Sequence, residues 1–215
     1  MRRVIFPCIA ALLVAAPACV DAASLRATLT DAKSKPVEDA VVSATPLDRA
    51  KVAAAPLNGV AVEQKNQSFI PYVTAVTVGT SVLFPNDDTV QHHIYSLSKP
   101  KRFEKPLYSP GAREAVVFDQ PGVVTLGCNI HDWMIAYIVV LETPYFAKSG
   151  DDGSATLSNL PAGRYRVEVW HPLLGKVATR EVTLADGAAA SEAFSLALKA
   201  DRRIHRAPEG KSSGY

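Results

Sequence analysis

The sequence predicts an all-β protein built from two β-sandwich units, one set into a loop of the other. Three observations carry this. Beyond residue 22 no stretch sustains apolar residues at a spacing of three and four, the mark of an amphipathic helix. Short alternating or β-branched runs recur instead, broken by Pro, Gly, Asn and Asp turns. Residues of metal-binding type gather in the middle of the chain, and the segments on either side read as two halves of one further unit.

Taken in order, the runs predict strands over 25–30, 40–44, 60–64, 73–78, 81–84, 93–97, 115–118, 123–127, 135–141, 154–157, 164–170, 178–184 and 192–198. Many short strands at this spacing form sandwiches or barrels. The leading flank, residues 23–56, runs through Leu25-Arg26-Ala27-Thr28-Leu29-Thr30-Asp31, a turn over 32–35 and Pro36-Val37-Glu38-Asp39-Ala40-Val41-Val42. The trailing flank, residues 144–199, has Gly150-Asp151-Asp152-Gly153, then Leu157-Ser158-Asn159-Leu160-Pro161-Ala162-Gly163-Arg164-Tyr165. The two resemble the opening and closing halves of the carboxypeptidase-regulatory-like, transthyretin-like β-sandwich. Residues 57–143 would then be inserted in a sandwich loop, where such insertions are tolerated because the loop ends are close and exposed. Two sequential domains, or one larger irregular sandwich, are the alternatives. Residues 200–215 are polar and basic, with Pro, Gly and Ser, and read as a flexible tail.

The first segment reads as a targeting signal over residues 1–22. Arg2 and Arg3 precede an apolar stretch from Val4 to Ala16 that is too short to span a bilayer. Val20-Asp21-Ala22 offers a cleavage site before Ala23. The alternative is a lipoprotein anchored at Cys19, to which Ala16-Pro17-Ala18 is a poor approach. The expected location is the periplasm, and no later segment is long and apolar enough for an integral membrane span. A formal net charge of +2 gives no electrostatic case for nucleic acid, and no glycine-rich phosphate loop follows a strand.

Export changes the meaning of the cysteines. Cys8 and Cys19 fall in the leader, so the mature chain keeps Cys128 alone. An oxidising compartment favours pairs, so a lone thiol asks for an intermolecular bridge, a reactive role or a metal. The only methionine after Met1 is Met134, six residues beyond that cysteine. Between them lies His131, so Cys128-Asn129-Ile130-His131-Asp132-Trp133-Met134 offers thiolate, imidazole and thioether from one loop. These soft or borderline donors suit copper. A second imidazole is available upstream, where Asn86-Asp87-Asp88-Thr89-Val90-Gln91 leads into His92-His93. Neighbouring strand residues face opposite sides, so at most one of the two histidines enters the site. Taken singly, each donor has a plain structural reading as a packed core residue.

The Cys-x-x-His-x-x-Met loop, the Pro121-Gly122 turn before it and the Asn-initiated loop ending in His resemble the cupredoxins, the short ligand loop being most similar to amicyanin. A longer pattern resembles bacterial proteins of the methylamine utilisation or plastocyanin-like type. It includes Gln64, Phe69, Pro71, Pro106-Leu107-Tyr108, Pro144-Tyr145-Phe146 and Trp170-His171-Pro172. The resemblance spans about residues 57–175. It implies a Greek-key cupredoxin-like β-sandwich holding one type 1 copper through His92, Cys128, His131 and Met134. It also implies bracing roles for Asn86, His93 and Asn129. His93 stands where cupredoxins usually have Asn, and Asp132 and Trp133 depart from the amicyanin loop.

Four protein ligands leave no vacancy for substrate, whereas catalytic metal sites keep one open. The expectation is therefore an electron carrier or redox relay, not an enzyme, with a redox partner protein. Two rivals stay open: a periplasmic copper carrier that serves a copper-acceptor protein, and a non-catalytic β-sandwich binding module. A two-copper centre is excluded because it uses two cysteines. His171 reads as a brace of the late sandwich, and Lys99, Lys101, Arg102 and Lys105 as a solvated basic cluster that could also steer an acidic partner.

Overall fold

The structure is a computed structural model that describes residues 22–48, 52 and 54–201. Residues 1–21 of the expected leader, with its Cys19, and the polar tail from residue 202 onward lie outside the described residues. The described residues form strands and turns only, and no helix among them is long and apolar enough to cross a membrane.

Sixteen strands follow along the described chain. The first six are β1 (Ala23–Asp31), β2 (Val41–Pro46), β3 (Glu63–Lys65), β4 (Ser68–Ile70), β5 (Val73–Thr77) and β6 (Thr80–Pro85). Then come β7 (His92–Ser96), β8 (Phe103–Tyr108), β9 (Arg113–Phe118), β10 (Gly122–Cys128) and β11 (Ile135–Leu141). The last are β12 (Phe146–Lys148), β13 (Ser154–Leu160), β14 (Gly163–Trp170), β15 (Ala178–Leu184) and β16 (Ala189–Leu196).

The flanks pair with each other. β1 lies between β13, antiparallel, and β16, parallel, in a three-stranded sheet. β2 lies between β12 and β14, with β15 beyond, in a four-stranded sheet. Alternation explains how these sheets stack: Ala23, Leu25, Ala27 and Leu29 of β1 are buried, and the residues between them are more exposed. They meet Tyr165, Val167 and Val169 of β14 in one apolar core. The Tyr165 hydroxyl donates to the Pro161 carbonyl at 2.6 Å, so its polar end is satisfied within that core.

Between the flanks lies a second sandwich. One sheet runs β5-β11-β10-β7-β8, and the other is built on β6 and β9. The chain crosses between them from β6 to β7 and from β8 to β9, the hallmark of a Greek key rather than a meander. The β3–β4 hairpin closes one end: Ala61 and Gln64 bridge in parallel to Leu83 and Asn86. The unit reaches back before residue 57, because Thr77 donates to the Ala55 carbonyl and Leu57 N–H donates to Thr80. Phe84, Phe118, Ile94, Leu126 and Ile138 fill its core together with Cys128 and Met134. A third, smaller cluster of Val41, Val73 and Val139, flanked by Tyr137 and Trp170, joins the two units. The Tyr137 and Trp170 rings meet edge-on at 5.6 Å.

Candidate metal centre

Strand parity assembles the site. The even-numbered residues of β7, β10 and β11 face the core: His92, Ile94 and Ser96; Val124, Leu126 and Cys128; Ala136, Ile138 and Val140. Cys128 pairs in register with Ile94, and Leu126 with Ala136. His92, at the start of β7, comes beside Cys128 at the end of β10, and Met134 stands one residue before β11. Three inward rows thus end at one edge of the sheet, and each ends in a donor residue. The loop from 129 to 133 closes over that edge with a turn in which Met134 N–H bonds the His131 carbonyl at 2.9 Å.

The donor atoms converge. His92 Nδ1 lies 3.8 Å from Cys128 Sγ, and His131 Nδ1 lies 3.6 Å from the same sulfur. The three ligand atoms all fall within 4.8 Å of one another. Two donors each about 2.0–2.3 Å from a shared ion must stand roughly 3.5 Å apart, so both sulfur–nitrogen separations fit a common ion. Met134 is buried at 3 % exposure in the same core cluster as Cys128. Thiolate, two imidazoles and a thioether form the donor set that suits copper in a trigonal site with a weak axial sulfur.

His92 is sealed from solvent, and its other nitrogen, Nε2, sits 3.1 Å from Asp88 Oδ2. A carboxylate can only accept there, so Nε2 carries the proton and Nδ1 keeps its lone pair for a metal. Burial holds the His92 imidazole below its ordinary pKa, against the opposing pull of Asp88. His131 is also lowered, first by burial and then by the charge of His92. For Asp88, burial pushes the carboxyl upward, but N–H donors from Gln67, Thr89 and His92 outweigh it and leave the group lowered. Asp88 is the functional residue the sequence reading lacked. It stands four residues before His92, at the far side of one tight loop.

His93 turns away, as parity requires. Its Nε2 lies 2.9 Å from Glu104 Oε1 on the opposite face of the sheet. Asn86 is fully buried and braces the loop before His92: its amide donates to the Val90 and Tyr108 carbonyls, and its Oδ1 accepts from Asp88 N–H. Asn129 is exposed, and its backbone N–H bonds the His93 carbonyl, extending the β10–β7 ladder one step past Cys128. His171 is buried outside the site, where its Nδ1 accepts from Leu173 N–H in the turn after β14. Within the basic cluster, Lys101 pairs with Asp119 and Lys105 with Glu114, which neutralises half of it.

No known family model matches the chain, and no curated protein matches it. Among solved structures it is similar to a purple cupredoxin from Nitrosopumilus maritimus, at 28% identity and a TM-score of 0.36, covering 38% of this chain and 99% of that one. It is also similar to a copper-containing nitrite reductase from Thermus scotoductus SA-01, at 30% identity and a TM-score of 0.38, covering 46% of this chain and 25% of that one. A reduced Cu(I) form of an amicyanin variant matches at 17% identity and a TM-score of 0.37, covering 46% of this chain and 99% of that one. The protein is all-β, and its inner unit is a two-sheet sandwich with the crossovers described above.

Proposed function

We propose that the chain is an exported type 1 copper protein that works as a periplasmic electron carrier or redox relay, with His92, Cys128, His131 and Met134 as the ligands and no catalytic role of its own. The observation that carries this reading is the convergence of two imidazole Nδ1 atoms on one buried thiol, at 3.6 and 3.8 Å. Bound there, copper supplies a one-electron couple between its two oxidation states. The chain's own residues do the rest. Asp88 fixes the ring of His92 through Nε2, the β10–β7 ladder fixes Cys128, and the turn onto the His131 carbonyl holds Met134, so the donors stay in place as the charge of the ion changes. The buried core excludes water and competing ligands. His131 is only half-buried and follows the exposed Ile130, which makes its ring edge the route to a redox partner protein.

The leader over residues 1–22 supports the periplasmic placement. The pairing of β1 and β2 with strands from the trailing flank supports residues 23–56 and 144–199 as halves of a transthyretin-like sandwich around the copper unit. The deciding experiment is metal analysis, visible absorbance and voltammetry on protein from the exported fraction. The expected result is one copper per chain, an intense thiolate-to-copper band and a reversible wave. Copper without a reversible wave would favour copper carriage to an acceptor protein, and no copper at all would end the reading.

A further inference from the structure

The β3–β4 hairpin is short, yet it touches both ligand loops. Gln64 at its base is fully buried, donates through its amide to the Pro85 carbonyl and the Tyr108 hydroxyl, and accepts Asp87 N–H on its backbone carbonyl. Phe69, directly opposite Gln64, packs in the core that holds Cys128 and Met134. At the tip, Asn66 and Gln67 both take left-handed backbone angles, φ 52 and 53, the two-residue turn that tight hairpins favour. Residues with a Cβ hold that conformation at a cost, and they persist there only where their surroundings fix them.

What fixes Gln67 is the site itself. Its N–H donates to Asp88 Oδ2 at 2.6 Å, the same oxygen that lies 3.1 Å from His92 Nε2. Its carbonyl accepts the Trp133 indole N–H at 3.1 Å. Trp133 belongs to the loop of His131 and Met134, and its ring stands 5.3 Å from the His131 ring. One residue therefore links the loop that carries His92 to the loop that carries His131 and Met134, by a continuous series His92–Asp88–Gln67–Trp133.

We propose that this hairpin is a clasp for the metal centre, and that Gln67 is a positioning residue whose two backbone groups hold the ligand loops at a fixed separation. The inference rests on the copper reading above. Links in series make a specific demand. Cutting either link should release the same constraint, so cutting the second adds little once the first is gone. Groups that orient metal ligands are typically worth about 10–100-fold in metal affinity.

The test is a double-mutant cycle on the full chain, read as copper affinity and as the position of the thiolate-to-copper band, with the metal-free melting temperature as control. Trp133→Phe keeps a ring against His131 but removes the N–H, and should weaken copper binding by about 10-fold. Asp88→Ala should weaken it by about 10–100-fold. The double variant should match Asp88→Ala alone within about two-fold. Should Asp88→Ala fold poorly, Asp88→Leu, which also lacks an acceptor, takes its place in the cycle. Losses that multiply in the double variant would overturn the clasp. Hydrogen exchange on the metal-free chain separates this from the copper reading. The Gln67 amide should be protected in the parent and exposed in the Asp88 variant, and finding it unprotected in the parent sinks the clasp whether or not copper binds.

Discussion

At the scale of single residues, the four proposed ligands differ in what they should do. The thiolate and imidazoles hold the ion, and a weak axial sulfur tunes its potential. Met134→Gln should therefore keep copper at one per chain and lower the reduction potential, because amide oxygen favours the oxidised ion. Cys128→Ser should abolish the intense visible band and weaken binding strongly. Voltammetry and absorbance on both variants check this, and a Met134→Gln protein that loses its copper would point to a carrier of reduced ion. The histidines give a second prediction, for the metal-free chain. Both His92 and His131 are lowered from an ordinary value of 6.5, chiefly by burial. The unfolded chain then binds protons more readily than the folded one below about pH 6.5, so stability should fall as pH drops through that value and level off only below the folded pKa values. Asp88, lowered from 3.8, adds a further loss in more acid solution by the same sign. Melting curves from pH 8 to 5 should show this fall, shallower in His92→Gln, and a flat parent profile would sink the idea. The converging residues His92, Cys128 and His131 were legible in the sequence because a Cys-x-x-His-x-x-Met loop and a histidine pair after an Asn-initiated loop stand out among its strands. The choice of His92 over His93 was open to parity reasoning in principle, but parity needs the strand start, and β7 begins at His92 itself. Asp88 was not legible because a carboxylate in a polar loop looks like any solvated acid until the fold closes over it.

At the scale of elements, alternation and turn residues located most strands to within a few residues. The strands β4, β8 and β12 were not predicted. Two of these are three residues long, too short for any period to show. β8 reads Phe-Glu-Lys-Pro-Leu-Tyr, and its charges and Pro106 argue against a strand. It lies at the free edge of its sheet, where a missing N–H is tolerated and charges protect against pairing with another chain. Turns carry their own prediction. Gly153, in the turn entering β13, has φ +71, and a Cβ there would lie 2.4 Å from the Leu29 carbonyl oxygen and 3.0 Å from Val37 N. Both neighbours are backbone and cannot swing aside. Gly153→Ala should destabilise the protein by on the order of 2–4 kcal/mol. Gly150→Ala, whose Cβ would meet only the Asp152 carboxylate at 3.5 Å, should be close to neutral. Urea denaturation of the two variants compares them directly, and equal stability would refute the collision. Copper stoichiometry should be unchanged in both, since this turn belongs to the flanking sandwich.

At the scale of the whole molecule, the question is how a unit that runs from about residue 55 to residue 141 by its hydrogen bonds and strand pairings sits in the middle of another without disrupting it. β2 and β12 answer it. They pair antiparallel, Ser43 opposite Phe146, so the chain leaves the outer sandwich and re-enters it on neighbouring strands. The junction is stitched: Ala44 N–H bonds the Tyr145 carbonyl at 2.9 Å, and the Thr143 hydroxyl donates to the Ala44 carbonyl at 2.7 Å. The outer sandwich therefore meets the inner unit as it would meet an ordinary hairpin loop, and its own core of Leu25, Leu29, Tyr165 and Val167 needs nothing from the insert. The inner unit, once folded, brings its two ends together and so removes most of the loop-closure entropy that a long unstructured insert would impose, which grows by only about 0.6 kcal/mol per doubling of loop length. The small cluster of Val41, Val73 and Val139 then sets the orientation of the two units. It follows that residues 47–142 should be replaceable by a four-residue hairpin turn. The shortened chain should keep a β-type circular dichroism spectrum and a cooperative melt, and it should bind no copper. Loss of Val73 and Val139 would expose Val41 and Trp170 and should lower the melting temperature, because apolar surface covered in the whole protein would face water. A shortened chain without a cooperative transition would mean that the outer core depends on the inner unit for more than closure of its loop, and the two would have to be counted as a single folding unit.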